Sequence, residues 1–191
     1  MMIDTIDVVY DACVLHSGSL RDLLLNIAAS EEICPHWSNE IHEEWIGSLL
    51  RRRPNSNRES LARTRQRMDA EFEGSLTKGY EFLVPTLTLP DPKDRHVLAV
   101  AILTRSSWIV TFNLNDFPNA VLQHYGIESL SPDEFIFRLL QEAPHLVLRA
   151  VRNHRLCLKN PPKTSAEYLA TLEKQGLPKT VTFLREHEEN V

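Results

Sequence analysis

Short apolar runs separated by polar punctuation divide the first two-thirds of the chain, and their periods alternate between strand and helix. Ile6 to Tyr10 is β-branched and aromatic, the pattern of a buried strand, and it stops at Asp11. Arg21 to Ala29 sets Leu23, Leu24, Ile27 and Ala28 on one helical side, and Ile33 to Trp37 reads as a second short strand. Ser38 then suits an N-cap for a helix through Ile41, Trp45, Leu49 and Leu50, broken around Pro54 and resumed from Leu61 to Ala70. Phe82 to Leu89 is expected to be extended. Asp91-Pro92-Lys93-Asp94 starts a helix, with a capping acid, proline at the first helical position and a third-position acid. Val97, Leu98, Ala101 and Ile102 carry it on. Trp108 to Phe112 is the clearest strand and Ile127 to Leu130 another. Ser131-Pro132-Asp133-Glu134 has the form of a capping box before Phe135, Ile136 and Leu139.

Strand and helix alternating through short links predict an α/β fold, a parallel sheet with helices on both faces that binds ligands beyond the carboxyl ends of its strands. After about Leu140 the pattern changes. Arg149, Arg152, Arg155 and Lys159 fall on one helical face, open to nucleic acid, an acidic partner or plain solvent, and Asn160-Pro161-Pro162 ends that segment. Thr164-Ser165-Ala166-Glu167 is a capping box for a helix to Lys174, Gly176 closes it, and Pro178 starts a last helix. The expected organisation is an α/β domain over residues 1–140 and an α-helical C-terminal extension over 141–191.

Bulk composition narrows the class. The 191 residues, 42% hydrophobic and 25% charged, suit one ordinary soluble domain with an appendage. Cys13, Cys34 and Cys157 have no CxxC spacing, which argues against structural zinc or a disulfide framework and for a reducing cytosol. Asp4 and Asp7 interrupt the first apolar segment and no basic region precedes it, so no signal peptide is expected. The run from Val97 to Leu103 is too short to span a bilayer. A cytoplasmic protein is the expectation. Net charge is −5, yet residues 51–67 hold seven arginines against the single acid Glu59. An acidic centre beside a basic arm suits a protein that binds metal in one place and phosphates in another; taken alone, the arm reads as a solvated arginine-rich helix.

Acids recur where apolar runs stop. Asp11 closes the first strand, Glu43 and Glu44 lie on an amphipathic helix, Asp94 opens another, and Asn113 and Asp116 follow the clearest strand. Each has a structural explanation: Asp94 beside a helix dipole, Asp91 as an N-cap, Glu43 and Glu44 as solvated charges, Asp116 as a turn residue. Asp11 is different, because an acid at the inner end of a buried strand loses hydration unless something pairs with it. Carboxylates converging on one crevice want a hard divalent cation, and that chemistry points to metal-assisted cleavage of a phosphodiester. Asp11-Ala-Cys13 lacks the second acid of a haloacid-type phosphatase, and no glycine-rich loop suggests nucleotide binding.

Val8-Val-Tyr-Asp11, Ser38-Asn-Glu-Ile-His-Glu-Glu44, Asp91-Pro-Lys-Asp94-Arg-His-Val-Leu-Ala-Val-Ala, Ile109-Val-Thr-Phe-Asn113-Leu-Asn-Asp116-Phe-Pro and Ser131-Pro-Asp-Glu-Phe135 together resemble the PIN domain, over roughly residues 5–140. The tail, with Pro161-Pro-Lys-Thr-Ser-Ala-Glu and Gly176-Leu-Pro-Lys, is similar to the extension of a longer VapC-type branch. The resemblance implies a three-layer α/β/α nuclease that uses Mg²⁺ or Mn²⁺ to cleave RNA. It also implies a toxin of a type II (VapBC) toxin–antitoxin module, with a cognate antitoxin, homodimerisation and tRNA among its candidate substrates. By position, Asp11 and Asp94 match family acids, Glu44 is the better choice within Glu43-Glu44, and Glu40 is an outside candidate. Asn113 stands where many PIN domains have aspartate, and Asp116 compensates. The resulting expectation gives Asp11, Glu44, Asp94 and Asp116 catalytic roles and Asp11, Asp94, Glu44 and Asn113 metal contact. Arg51, Arg52, Arg53 and Arg58 would bind RNA. Thr111 would hydrogen-bond an acid or be a plain strand residue, and His96 would face phosphate or sit on the surface. The competing readings are a PIN nuclease of RNA processing and a nuclease-dead binding module.

Overall fold

The computed structural model describes residues 5–30, 32–53 and 55–191, with the backbone alone at Asn190. Asp4 and Pro54 lie outside the described residues. Strand β1 (Ile6–Tyr10) is followed by a four-residue helix α1 (Ala12–Leu15) and by α2 (Gly18–Ala28). Strand β2 (Ile33–His36) leads to α3 (Asn39–Arg52) and α4 (Arg58–Glu71). Helix α5 (Arg95–Thr104), β3 (Trp108–Val110), the short α6 (Asn119–Leu122) and β4 (Glu128–Leu130) complete the sheet region. Then come α7 (Pro132–Glu142), α8 (Pro144–Cys157), α9 (Ser165–Lys174) and α10 (Pro178–Arg185).

The four strands are all parallel, in the order β2-β1-β3-β4. Successive strand residues point to opposite faces. Val8, Val9 and Tyr10 are all fully buried, so both faces of the central strand are covered. Phe135 of α7 meets Tyr10 and Trp108 edge-on at 6.1 and 5.8 Å between ring centres. Beyond β2 the chain at 75–77 runs alongside Trp37, whose N–H donates to Ser75 O and whose carbonyl accepts from Thr77 N–H. Among the described residues no helix is long and apolar enough to cross a membrane.

Local chemistry accounts for most boundaries. Ser38 accepts the Ile41 N–H at 3.2 Å and so starts α3. Thr164 and Glu167 form the reciprocal capping box of α9. At α7 only half of the expected box exists: Ser131 accepts from Glu134 N–H, while the Glu134 carboxylate is drawn to Lys179 Nζ at 2.6 Å. Helix α10 starts at Pro178, and its N-cap Leu177 has no capping side chain. Its first-turn amides donate instead to Asp133 of α7, Lys179 N to Oδ2 at 3.0 Å and Thr180 N to Oδ1 at 2.9 Å.

Other expectations change as well. Phe82 to Leu89 is not one extended run, because Pro85 sits in a 3-10 turn over Val84–Thr86. The third strand ends at Val110, two residues early, as Thr111 and Phe112 turn toward α1. The second helix starts at Gly18 rather than Arg21, and α1 was hidden by its shortness. The basic face of α8 is incomplete. Lys159 lies beyond the helix, and Arg155 donates to the carbonyls of Val191 and Lys163, tying down the tail.

Candidate active site

Asp11 ends β1 with its N–H donated to Val110 O at 3.1 Å, then N-caps α1 in extended backbone conformation. Its carboxylate, on a residue only 5% exposed, cannot rely on water for solvation. Thr111 Oγ1 donates to Oδ2 at 2.7 Å and Cys13 Sγ donates to the same oxygen at 3.0 Å. Each donor is oriented from behind: Asn113 N–H donates to Thr111 Oγ1 at 3.0 Å, and Phe112 N–H to Cys13 Sγ at 3.2 Å. Burial and the Asp11 charge push the Cys13 thiol up to about 12, which keeps it a neutral donor. Both donors fall on Oδ2 and neither occupies Oδ1.

Asp94 comes at the junction of a 3-10 turn (Pro92–Asp94) and α5, which places it at the same end of the sheet. Burial first, then the charges of Asp11, Asp91, Asp116 and Glu44, push its carboxyl up to about 6. Every one of these causes acts in the same direction. Asp91 itself caps the turn, accepting Lys93 N–H at 2.9 Å.

The two adjacent acids of α3 diverge. Glu43 pairs with Arg65 at 3.2 Å and Arg58 at 3.6 Å, toward α4. Glu44 meets His96 Nε2 at 3.0 Å and bears on Asp94. His96 is therefore not a surface residue: it is 5% exposed, with Glu40 3.5 Å from Nδ1. Burial pulls its pKa down, but the Glu44 hydrogen bond and the charges of Glu44, Glu40 and Asp11 outweigh it, so the net direction is upward. Asn113 is exposed and Asp116 half-buried on the loop after β3, and the Asp116 charge also reaches Asp94. Of the arginines expected to hold RNA, Arg51 to Arg53 lie exposed at the end of α3, while Arg58 is engaged with Glu43.

Sequence reasoning missed Cys13 and the burial of His96. The only signals were a thiol two residues past Asp11, in the first turn of a helix, and a histidine two residues past Asp94. Among the described residues no three His, Cys, Asp or Glu side chains close into a ready-made metal cage. Mg²⁺ needs none, since it keeps several waters and takes one or two carboxylates. The donor set fits such an ion: hard oxygens from Asp11 and Asp94, and an acid whose proton affinity is raised by burial and by four like charges.

The PIN-domain family model matches residues 1–115, and the VapC50 C-terminal domain model matches residues 132–186. A protein of Mycobacterium tuberculosis (strain ATCC 25618 / H37Rv) named "Putative ribonuclease VapC50" is 38% identical over 86 residues, covering 44% of this chain and 49% of that protein. The chain thus spans about half the length of that relative. No solved structure matches. With the parallel sheet and the acids at its carboxyl end, the match over more than half of its length makes this chain a member of the PIN-domain family.

Proposed function

We propose that the protein is a metal-dependent endoribonuclease, the toxin of a VapBC-type module. Residues 1–140 would form the nuclease unit and 141–191 a helical extension. The observation that carries the reading is the pairing of a buried, pre-oriented Asp11 with an Asp94 carboxyl raised to about 6 by burial and by the like charges around it. Such an arrangement has a cost in the free protein and is relieved by a cation.

Asp11 and Asp94 would hold Mg²⁺ or Mn²⁺, which neutralises charge growing on the phosphate and acidifies water. Glu44, fixed by His96, orients the attacking water and takes its proton. Asn113 and Asp116, on the loop after β3, would position a further water or a second ion. Thr111 and Cys13 fix the Asp11 carboxylate so that it need not reorganise during the reaction. The exposed Arg51, Arg52, Arg53 and Arg58 supply phosphate contacts, which give affinity without sequence choice. A cognate antitoxin belongs to the same reading, supported by the likeness to the VapC50 C-terminal domain, and a homodimer and tRNA as a substrate class extend it.

The test is cleavage of bulk cellular RNA, including tRNA, by the purified full chain with Mg²⁺ or Mn²⁺. Cleavage is expected to stop in EDTA and to fall more than about 100-fold in Asp11→Ala, beyond the 10–100-fold typical of losing an outer-shell partner. A folded, partner-free wild type that cuts nothing with either metal would replace the nuclease with a binding module.

A further inference from the structure

A second concavity opens beside α1, with a volume of about 560 Å³. Its lining includes His16, Arg21, Arg52 and Arg53 and, among the described residues, no Asp or Glu. In a chain of net charge −5 that is a concentrated positive site. The groups come from three places in the sequence: the end of α1, the first turn of α2, and the end of α3.

Three details separate this cavity from a solvated basic patch. Arg21 is only 9% exposed, with its guanidinium 5.0 Å above the Trp45 ring and one Nη donating to Leu15 O at 3.0 Å. Its buried Nε has no acceptor within hydrogen-bond distance, and its ion-pair partner Asp22 stands 3.6 Å away. A buried N–H of a cation without an acceptor costs stability unless a ligand supplies one. Next, Ser17 stands at the N-cap of α2 yet accepts none of its amides, and its hydroxyl is turned to donate to Gln175 Oε1. The first-turn amides of an 11-residue helix therefore lack their side-chain acceptor beside the arginines, the arrangement that binds phosphate. Finally, Arg52 Nη1 lies 3.4 Å from His16 Nε2, and His16 Nδ1 meets Cys13 O. The imidazole thus holds Arg52 at the cavity.

The position relative to the carboxylates suits an RNA phosphate. Asp11 and His16 flank α1, five residues apart, or roughly 7 Å of helix rise. That is the scale of one nucleotide step. The turn Gln175–Gly176 borders both places: Gln175 lines the cavity, and a Cβ on Gly176 would lie 3.6 Å from Phe112 Cε1, beside the Asp11 anchor. We propose that this cavity is a backbone subsite of the nuclease: Arg21, Arg52, Arg53 and the α2 N-terminus seat an RNA phosphate next to the one being cleaved. The α9–α10 turn forms its outer wall. The inference rests on the ribonuclease reading above, and it gives the C-terminal helices a part in substrate binding.

The experiment measures binding of a labelled single-stranded RNA to the full chain in EDTA, where nothing is cut. The wild type is compared with Arg52→Gln/Arg53→Gln and with Arg63→Gln/Arg67→Gln, which removes equal charge from α4 away from the cavity. The expected result is an affinity loss of about tenfold in the first pair and less than about threefold in the second. The slope of log affinity against log salt should drop by roughly 0.7 in the first pair, one phosphate's share. Equal losses in both pairs, or none in the first, would overturn the subsite. So would competition by a polyglutamate peptide but not by inorganic phosphate, since the cavity would then be one for an acidic protein segment. A wild type that binds RNA in this way but never cleaves it with Mn²⁺ would retire the nuclease reading and leave the cavity standing. Cleavage by a wild type whose cavity variant binds normally would do the reverse.

Discussion

Asp69 and Asp94 both lie within reach of α3, and they are treated in opposite ways. Asp69 is fully engaged: Trp37 Nε1 donates to Oδ1 at 2.8 Å, His42 Nε2 donates to it at 3.0 Å, and Arg65 stands 3.7 Å from Oδ2. His42 in turn accepts from Trp45 Nε1 at 2.9 Å, and burial holds it neutral by lowering its pKa. Asp94 has the charges of Asp11, Asp91, Asp116 and Glu44 around it, and all of them work against its ionisation. A carboxylate whose partners lie within the protein builds the fold. One surrounded by its own kind waits for something the chain does not contain.

The contrast breaks most visibly if the two residues are exchanged in role. Asp94→Asn is expected to lower RNA cleavage more than about 100-fold while leaving the protein folded, since it removes repulsion and no structural bond. Asp69→Ala should do the opposite. It leaves the Trp37 and His42 donors buried without an acceptor, an expected loss of about 2–3 kcal/mol by urea unfolding, with cleavage per folded molecule retained. If Asp69→Ala were as inactive as Asp94→Asn at full stability, the division would be wrong.

Thr111→Val sharpens the same comparison at the site itself. It removes the 2.7 Å bond that orients Asp11 without touching either charge, so a fall of roughly 10–100-fold in cleavage is expected. The loss should appear mainly in kcat, and Thr111→Ser should restore most of it. The smallest effect is in stability against pH. With its folded pKa raised from 3.8 to about 6, Asp94 binds more protons folded than unfolded, so its contribution falls as pH rises between those values. After discounting for solvent screening, that is about 1 kcal/mol. Asp94→Asn should therefore match the wild type near pH 4 and exceed it above pH 6 in EDTA. Saturating Mn²⁺ should reverse the order at neutral pH, because only the wild type keeps the ligand.

What the sequence disclosed follows from the range over which each interaction acts. Ser38, Asp91 and the Thr164–Glu167 pair act within three residues, and they are readable as caps because their partners are adjacent. The end of β1 at Asp11 was equally plain, since an abrupt change from apolar to acid needs no partner to be seen. The choice between Glu43 and Glu44 was not, because one residue on a helix turns a side chain by about 100° and only the packed neighbours show which way is inward. Those neighbours, Arg65 on α4 and His96 on α5, lie 22 and 52 residues away. His96 misled for the same reason, as did Arg155, whose carbonyl acceptors at Lys163 and Val191 are set by a loop and a chain end. The half-made box at Ser131 failed because Lys179, 45 residues on, competes for Glu134.

The cap that α10 takes from Asp133 bears on the order in which the protein can be built. A helix of eight residues is too short to hold together by itself, and here the acceptor for its first amides belongs to a helix synthesised more than forty residues earlier. Helix α10 must therefore form on α7 as a template, at the moment of docking, so the wall it shares with α9 is a late arrival in biogenesis. On the reading proposed above, the phosphate subsite would be complete only after this docking, so RNA binding would follow the α7–α10 contact rather than precede it.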